Sequence, residues 1–405
     1  EQLESRVLPE YIMRMRWFGG KSRNIENISI VANTCLQMEE SSALFILFQV
    51  SYDSRLPDTY QLPLGFAKDH LAYKLGEGCP QAVLAKLKVG DEEGILYDAI
   101  YGIDLQMAII RNMAKNDGNG TDSRLRFSAV AKLAAYVSAH EKIKPRVLSA
   151  EQSNTSIIYD NAFFLKLYRK VDVAVNPDMQ ISHYLTEFAK FPNIPNYVGA
   201  IQWYQDKGDI VLGMMQQMVE SNSDAWVYML DRLDDYNEQI LSAKEIHHPH
   251  ELLGTIIEPV AYEELPEQIR LFLEGQLVER TTLLGQRTGE MHIALASGPD
   301  HPDFRPEPYS LHYQRSLYAG LQSLVRATFQ NLMRKLNDLP SEVKNDAKEI
   351  LEMKNDILST LKNIYRKKID VAKIRIHGDY HLGQVLFTGK DFILTDFEGE
   401  PARSH

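Results

Sequence analysis

Residues 1 to about 112 alternate short apolar runs, such as Ile28-Ser-Ile-Val31 and Ala43-Leu-Phe-Ile-Leu-Phe48, with turn-forming stretches such as Leu56-Pro-Asp58. Short apolar runs punctuated by Pro and Asp predict strands, so this region reads as a β-rich domain. A polar, glycine-bearing stretch, Asn116-Asp-Gly-Asn-Gly-Thr-Asp122, follows as a linker. Residues 113–219 then mix strands with one helix. Ile157-Ile-Tyr159, the turn pair Asp160-Asn161 and Phe163-Phe-Leu-Lys-Leu-Tyr168 predict a β-hairpin. The stretch from Asn176 to Glu187 predicts a helix opened by Pro177 in its first turn, and the apolar run at 209–220 predicts a strand feeding a hinge. From 220 to 405 the pattern turns helical. Apolar residues recur at three- and four-residue intervals over 271–296, 313–336 and 341–368, with Ile350, Met353, Ile357, Leu361 and Ile364 marking one face of the last stretch. No internal repeat or low-complexity tract interrupts this order.

Chemistry concentrates at the end of the chain. Asp379 stands in His-Gly-Asp, Gln384 follows on the same loop, and Asp396 stands in Thr-Asp-Phe-Glu behind an apolar run. The runs at 373–376, 384–387 and 392–395 predict short flanking strands. Two carboxylates delivered from neighbouring strand ends can divide the work of phosphoryl transfer. One orients a nucleophilic hydroxyl and takes its proton, and the other holds a metal ion that neutralises phosphate charge. This spacing is the layout of a kinase catalytic loop, with Asp379 as the base and Asp396 and Gln384 as Mg²⁺ ligands.

Phosphoryl transfer also needs a phosphate-holding loop and a lysine, and no Gly-x-x-x-x-Gly-Lys-Ser/Thr segment supplies them. The small polar run Gln152-Ser153-Asn154-Thr155-Ser156, at the mouth of the predicted hairpin, is the candidate loop, since its amides and hydroxyls can contact phosphate oxygens. Lys166 in the returning strand can reach the α- and β-phosphates. Asp178 and Glu187 are both available as its acidic partner, and Asp178 could equally stabilise the start of its helix. Gln217, Met218 and Val219 at the hinge would meet an adenine edge. For an acceptor with many hydroxyls, His381, Glu398, Glu400 and Arg403 are the polar residues nearest Asp379 in sequence, although Glu400 and Arg403 could instead pair with each other.

Composition narrows the partners. A hydrophobic fraction of 44% over 405 residues suffices for large cores. The net charge of −11 argues against nucleic acid or an anionic membrane as partner, so a nucleotide site must gather its own positive charge. Cys35 and Cys79 offer at most one bridge and no ligand cluster, which fits a reducing cytoplasm. No apolar stretch reaches the roughly 18 residues of a membrane span, and the opening Glu1-Gln-Leu-Glu-Ser-Arg6 lacks the core of a signal peptide. Without an initiating Met, the sequence reads as a trimmed segment, in keeping with a longer fused polypeptide. The basic and aromatic stretch from Arg14 to Arg23 reads as structural or interdomain, and Ile246-His-His-Pro-His250 as a surface loop.

Several segments together carry a resemblance. They are Leu8-Pro-Glu-Tyr-Ile12, Arg16-Trp-Phe-Gly-Gly-Lys21, Gln152-Ser-Asn-Thr-Ser156, Asn176-Pro-Asp178, Leu284-Gly-Gln-Arg-Thr-Gly-Glu-Met-His292, His377-Gly-Asp-Tyr-His-Leu-Gly-Gln-Val-Leu386 and Asp396-Phe-Glu-Gly-Glu-Pro-Ala-Arg403. In these the chain resembles the bacterial maltokinases, including those fused to trehalose synthase, of the aminoglycoside-phosphotransferase branch of the kinase-like fold. The resemblance implies an α+β, eukaryotic-protein-kinase-like bilobal fold with a β-rich N-terminal cap (1–112), a nucleotide-binding lobe (113–219) and a mostly helical catalytic lobe (220–405). It implies ATP and Mg²⁺ as cofactors and maltose as acceptor, phosphorylated at its anomeric hydroxyl to maltose 1-phosphate in glycogen- and trehalose-linked metabolism. Trehalose synthase is the implied fused or associated partner. Gln384, where other kinases of this branch usually carry Asn, fits the maltokinase pattern. Two departures stand out. The family continues past Arg403 with helices that close the acceptor side, whereas this sequence ends at His405, and relatives often carry Glu at the position of Gln180. A glucosamine-like or other small sugar is the alternative acceptor, and a regulatory or scaffolding domain of a fused enzyme the alternative of another class.

Overall fold

The computed structural model describes residues 1–405 apart from 40, 54, 117–123, 149–152, 207, 244–253, 256–257, 274 and 400–405. Most of the expected linker, the His-rich stretch at 246–250, and the candidate site residues Gln152, Glu400 and Arg403 therefore lie outside the described residues. Two compact units divide the chain, 1–291 with 377–405, and 292–376. No helix among the described residues is long and apolar enough to cross a membrane.

The first unit opens with α1 (Leu8–Arg14) and three antiparallel strands, β1 (Ile25–Gln37), β2 (Ser42–Tyr52) and β3 (Arg55–Ala67). After α2 (Asp69–Gly78), the hairpin β4 (Val83–Val89) and β5 (Glu92–Asp98) completes a sheet ordered β1-β2-β3-β5-β4. Alternation along β2 decides which core each side chain joins. Ile46 and Phe48 pack with Tyr11, Trp17, Phe18 and Tyr60 on one face. Phe45 and Leu47 point the other way, into a core shared with the next sheet. That core also takes Ile109, Ile110 and Met113 of α3 (Ile103–Lys115), so the domain boundary expected at 112 falls inside a packed helix.

The second sheet is built from β6 (Leu125–Ala129), then, after α4 (Ala131–Ala139), β7 (Pro145–Val147), β8 (Asn154–Tyr159) and β9 (Phe163–Tyr168). A short strand, β10 (Lys170–Val171), leaves this sheet to pair with Tyr60 and Thr59 of β3. The helix α5 (Pro177–Glu187) and the strands β11 (Tyr197–Trp203) and β12 (Ile210–Gln217) close an antiparallel order β6-β11-β12-β9-β8-β7. The expected hairpin is β8–β9, with Asp160 and Asn161 at φ 52° and 57°. Paired left-handed residues are what a tight hairpin of this twist requires, and Asp and Asn tolerate them best. Asn176 caps α5 by accepting from Met179 N–H at 2.9 Å, ahead of Pro177.

After β13 (Ser223–Asp224) come α6 (Ala225–Ser242), α7 (Glu267–Leu273) and α8 (Gly275–Leu295), and the last two are helical over the expected 271–296 up to Leu295, apart from residue 274, which lies outside the described residues. In the second unit, β14 (Glu307–Pro308) leads into α9 (Leu311–Lys335), whose N-cap is Ser310. The expected single helix over 341–368 is α10 (Ser341–Glu352), α11 (Lys354–Leu361) and a 3-10 turn at Lys362–Tyr365. Fully buried Gln314 of α9 takes the Ile364 and Lys367 carbonyls at 2.6 and 3.0 Å, so those groups leave the helical ladder. Ile350 and Met353, expected on a buried face, are exposed. The strand expected at 373–376 is only β15 (Ala372–Lys373), paired with β14. Back in the first unit, β16 (Val385–Phe387) and β17 (Phe392–Leu394) form a small sheet with β13, covered by Tyr228 of α6, whose ring lies 4.1 Å from Phe387.

Candidate active site

Strand alternation along β9 sends Lys166 and Tyr168 to one face, toward α5 and the loop after β17. Lys166 Nζ lies 3.1 Å from Asp178 Oδ2, 2.6 Å from Asp396 Oδ1 and 2.5 Å from Glu398 Oε1. Asp178 is 1% exposed and spends its remaining capacity on the Tyr168 hydroxyl, at 3.0 Å, and the Phe397 N–H, also at 3.0 Å. Of the two acids available to Lys166, Asp178 is therefore the one in place, since Glu187 pairs with Lys190 on the surface. Asp178 also lies in the first turn of α5, so both roles read for it coincide.

Burial works against the charged ammonium of Lys166, but Asp178, Glu398 and Asp396 outweigh it and hold its pKa well above the usual lysine value. Burial likewise raises Asp396, and Lys166, together with a hydrogen bond from Gln384, reverses that to keep it below the usual carboxylate range. Glu398 goes the other way. Its burial, aided by the neighbouring Asp178 and Asp396, lifts its pKa in spite of Lys166.

Beside these charges lies a cavity of about 380 Å³. Phe164, Pro195, Met218, Val219 and Leu386 give it apolar walls, while Ser153, Asn154, Lys166, Asp178, Gln216, Gln217 and Asp396 give it polar ones. The strand register explains the division. Gln217 N–H donates to Asn196 O and Met218 N–H to Ala162 O, at 2.8 and 2.9 Å. Val219 N–H has no hydrogen-bond partner among the described residues.

The polar run at the hairpin mouth behaves differently from a loop, because β8 already begins at Asn154. Asn154 faces the charged cluster and donates to Glu398 Oε1 at 2.8 Å. Thr155 and Ser156 are buried in the strand and do not line the cavity. Thr155 Oγ1 accepts from Arg169 Nε at 2.8 Å on the opposite face of the hairpin, which is a correction to its expected place on phosphate.

Two glycines bring the loops of Asp379 and Asp396 together. Gly378 and Gly399 hold φ of 96° and 79°, and Asp396 itself sits at φ 66°. His377, 2% exposed, bonds through Nε2 to the Thr395 carbonyl at 2.9 Å and lies 4.7 Å from the Phe397 ring. Asp379, on the loop after Gly378, is outside the cavity lining and part-exposed, with its Oδ2 3.9 Å from His381 Nε2. His381 in turn caps the turn Leu382–Gln384 by accepting from Gly383 N–H. That turn, not a strand, carries Gln384, and it presents the amide to Asp396. Asp379 and His381 are thus brought together. Glu398, expected beside them, is instead held by Lys166 and Asn154.

The structure also uses residues that the sequence did not mark. Tyr168, Phe164, Pro195, Gln216, Leu386 and Thr395 line or brace the site. Arg169 had a readable signal, since an arginine one strand step beyond Lys166 and Tyr168 must fall on the apolar face and needs a buried partner.

Oxygen atoms of Asp178, Asp396 and Glu398 lie within 4.8 Å of one another. With the Gln384 amide, they make an all-oxygen donor set, the kind a hard divalent cation accepts.

Residues 11–101 match the maltokinase N-terminal cap domain family. Across nearly its whole length the chain is also similar to solved glucosamine kinases. One, in complex with glucosamine, ADP and inorganic phosphate, shares 14% identity at a TM-score of 0.55, covering 93% of this chain and 68% of that one. Another, crystal form B, shares 14% identity at a TM-score of 0.59, covering 98% and 71%. Low identity with this overlap establishes the fold. The chain is accordingly an α+β protein of kinase-like fold that carries a maltokinase N-terminal cap domain at residues 11–101.

Proposed function

We propose that the chain is an ATP-dependent sugar kinase that transfers the γ-phosphoryl group to the anomeric hydroxyl of maltose. The carrying observation is the Lys166 ammonium, held between Asp178 and Asp396 at the cavity's edge, with Asp379 on the loop that Gly378 packs against Gly399. The apolar walls suit a purine ring, and Val219 N–H is the hinge donor left for its edge. Lys166 then meets the α- and β-phosphates, and Ser153 and Asn154 the phosphate oxygens. Asp379 accepts the proton of the acceptor hydroxyl as its oxygen bonds to the γ-phosphorus and the bond to the bridging oxygen of ADP breaks. Asp396 and Gln384 would hold Mg²⁺, which neutralises charge on the transferring group. The ordered Lys166–Asp178 pair fixes phosphate position before substrate arrives, which is where most of the catalysis in phosphoryl transfer originates.

A glucosamine-like acceptor is the second reading, favoured by the similarity to glucosamine kinase across most of the chain. A cytoplasmic setting and association with trehalose synthase accompany the maltokinase reading. The test is ATP consumption with a panel of maltose, glucose, glucosamine and trehalose, and location of the phosphate by NMR. Turnover of maltose to a 1-phosphate is the expected result. Turnover of glucosamine alone moves the assignment to the second reading, and no sugar-dependent turnover overturns both.

A further inference from the structure

The cap domain reaches the candidate site through one fully buried ion pair. Arg169 and Asp98 are each 0% exposed, and Arg169 Nη2 lies 2.6 Å from Asp98 Oδ2. Asp98 ends β5 of the cap sheet, where it also accepts from Ile100 N–H at 3.2 Å and from the Tyr11 hydroxyl at 3.3 Å. The guanidinium lies 5.3 Å from the Trp17 ring, and its Nε donates to Thr155 of β8. Arg169 thus clamps β9 and β8 together at the rung where Asn154 pairs with Tyr168 and Thr155 with Leu167. Both residues that flank this clamp belong to the site. Asn154 holds Glu398, and Tyr168 holds Asp178.

A second tether acts on the backbone of the same turn. Gln61 of β3, 0% exposed, donates its backbone N–H to Arg169 O at 2.9 Å and its side-chain amide to Tyr168 O at 2.7 Å and Leu212 O at 2.5 Å. Carbonyls at the end of the strand that carries Lys166 and on its neighbour β12 are therefore fixed by a single cap residue. Stability alone accounts poorly for this arrangement. Buried ion pairs are often no better than apolar packing of similar volume, because desolvation consumes the Coulombic gain. Here Arg169 Nη1 also has no partner among the described residues, a further cost. What such a pair does supply is a single geometry for the two strands it joins.

We infer that Asp98 and Arg169 are positioning residues, through which the cap domain sets the placement of Lys166 and Asn154 for a nucleotide's phosphates. The inference rests on the nucleotide reading of the cavity. Its consequence is that the cap contributes to nucleotide affinity without touching the nucleotide.

The test uses the full chain and compares ADP binding by calorimetry, KM for ATP and thermal stability. The double variant Asp98→Leu/Arg169→Met removes both charges and so avoids stranding one of them. It is expected to stay folded and to lose about tenfold or more in ADP affinity, with a matching rise in KM for ATP and no change in the acceptor's KM. Thr155→Val cuts only the link to β8, lowers Tm because Arg169 Nε loses its acceptor, and is expected to weaken ADP several-fold, while Thr155→Ser, which keeps the hydroxyl, restores binding. This pair also decides the matter if the double variant fails to fold. Wild-type ADP affinity in both Thr155→Val and the folded double variant, or in Thr155→Val alone where the double variant does not fold, overturns the inference and leaves the nucleotide reading standing. A wild-type chain that binds no ADP overturns both.

Discussion

Gly378 and Gly399 approach so closely that a β-carbon on the first would sit 3.0 Å from Cα of the second. Each also holds a positive φ that L side chains rarely adopt. The contact joins the loop carrying Asp379 to the loop carrying Asp396. Gly378→Ala should therefore cost about 1–3 kcal/mol from backbone strain alone. The same change should depress phosphoryl transfer more than it depresses ADP binding, because it separates the two aspartates. Denaturant unfolding and turnover on one preparation check this, and an alanine variant with wild-type stability and rate would show the contact to be incidental.

Asp379→Asn keeps the shape of the loop and removes the proton acceptor. Sugar-dependent turnover should fall by about 10²–10⁴-fold, the usual worth of a general base. ADP affinity should not change, since Asp379 does not line the cavity. Retained turnover with the best sugar would assign the base elsewhere.

Lys166 and Asp396 should separate by phenotype. Lys166→Met leaves Asp178 buried without its cation, a loss of about 3–5 kcal/mol by the usual cost of breaking such a pair, and should raise KM for ATP. Asp396→Ala should instead raise the Mg²⁺ concentration needed for half-maximal turnover, because an oxygen ligand is lost. Titration of Mg²⁺ at saturating ATP distinguishes them.

His377 predicts a pH dependence of stability. Burial lowers its pKa below the ordinary 6.5, although the Thr395 carbonyl and nearby carboxylates oppose the shift. The unfolded chain then binds the proton more readily than the folded one. The contribution is fully present above about pH 6.5 and is lost as pH falls through the lower, folded value. His377→Gln should flatten that part of the stability profile, and a profile unchanged between pH 7 and 5 would reject the assignment.

Much of this site was legible because local rules and long-range placement agreed. The β8–β9 hairpin announced itself through Asp160-Asn161, and α5 through Asn176-Pro177, so Lys166 and Asp178 were each placed on the correct element. What failed had long-range causes. Thr155 looked like a loop hydroxyl, but β8 begins one residue earlier and alternation turns its side chain toward Arg169, a partner fixed by the cap sheet. The face of Ile350 and Met353 has helical spacing, yet the segment breaks between α10 and α11 at Met353, both residues are exposed, and Gln314 takes the carbonyls of Ile364 and Lys367 further on. Neither Gln314 nor Asp98 can be recognised as a partner from sequence distance.

Glu398 carries the sharpest disagreement between the sequence and the structure. Sequence proximity to Asp379 suggested a sugar contact, but Lys166 at 2.5 Å and Asn154 at 2.8 Å hold this carboxylate in the charged cluster around Lys166. It stands where a nucleotide's negative charge would compete for the same ammonium. A phosphate would add a further negative group to the three carboxylates already gathered around Lys166, so nucleotide binding works against the Lys166–Glu398 contact. Glu398→Gln keeps the hydrogen bonds and removes the charge. ADP affinity should then change several-fold, whereas the ratio of kcat/KM for maltose and glucose should stay at the wild-type value. Calorimetry and the two-sugar comparison read these independently. A shifted sugar ratio with unaltered ADP affinity would return Glu398 to the acceptor side, and the contact with Lys166 would then be a feature of the nucleotide-free chain alone.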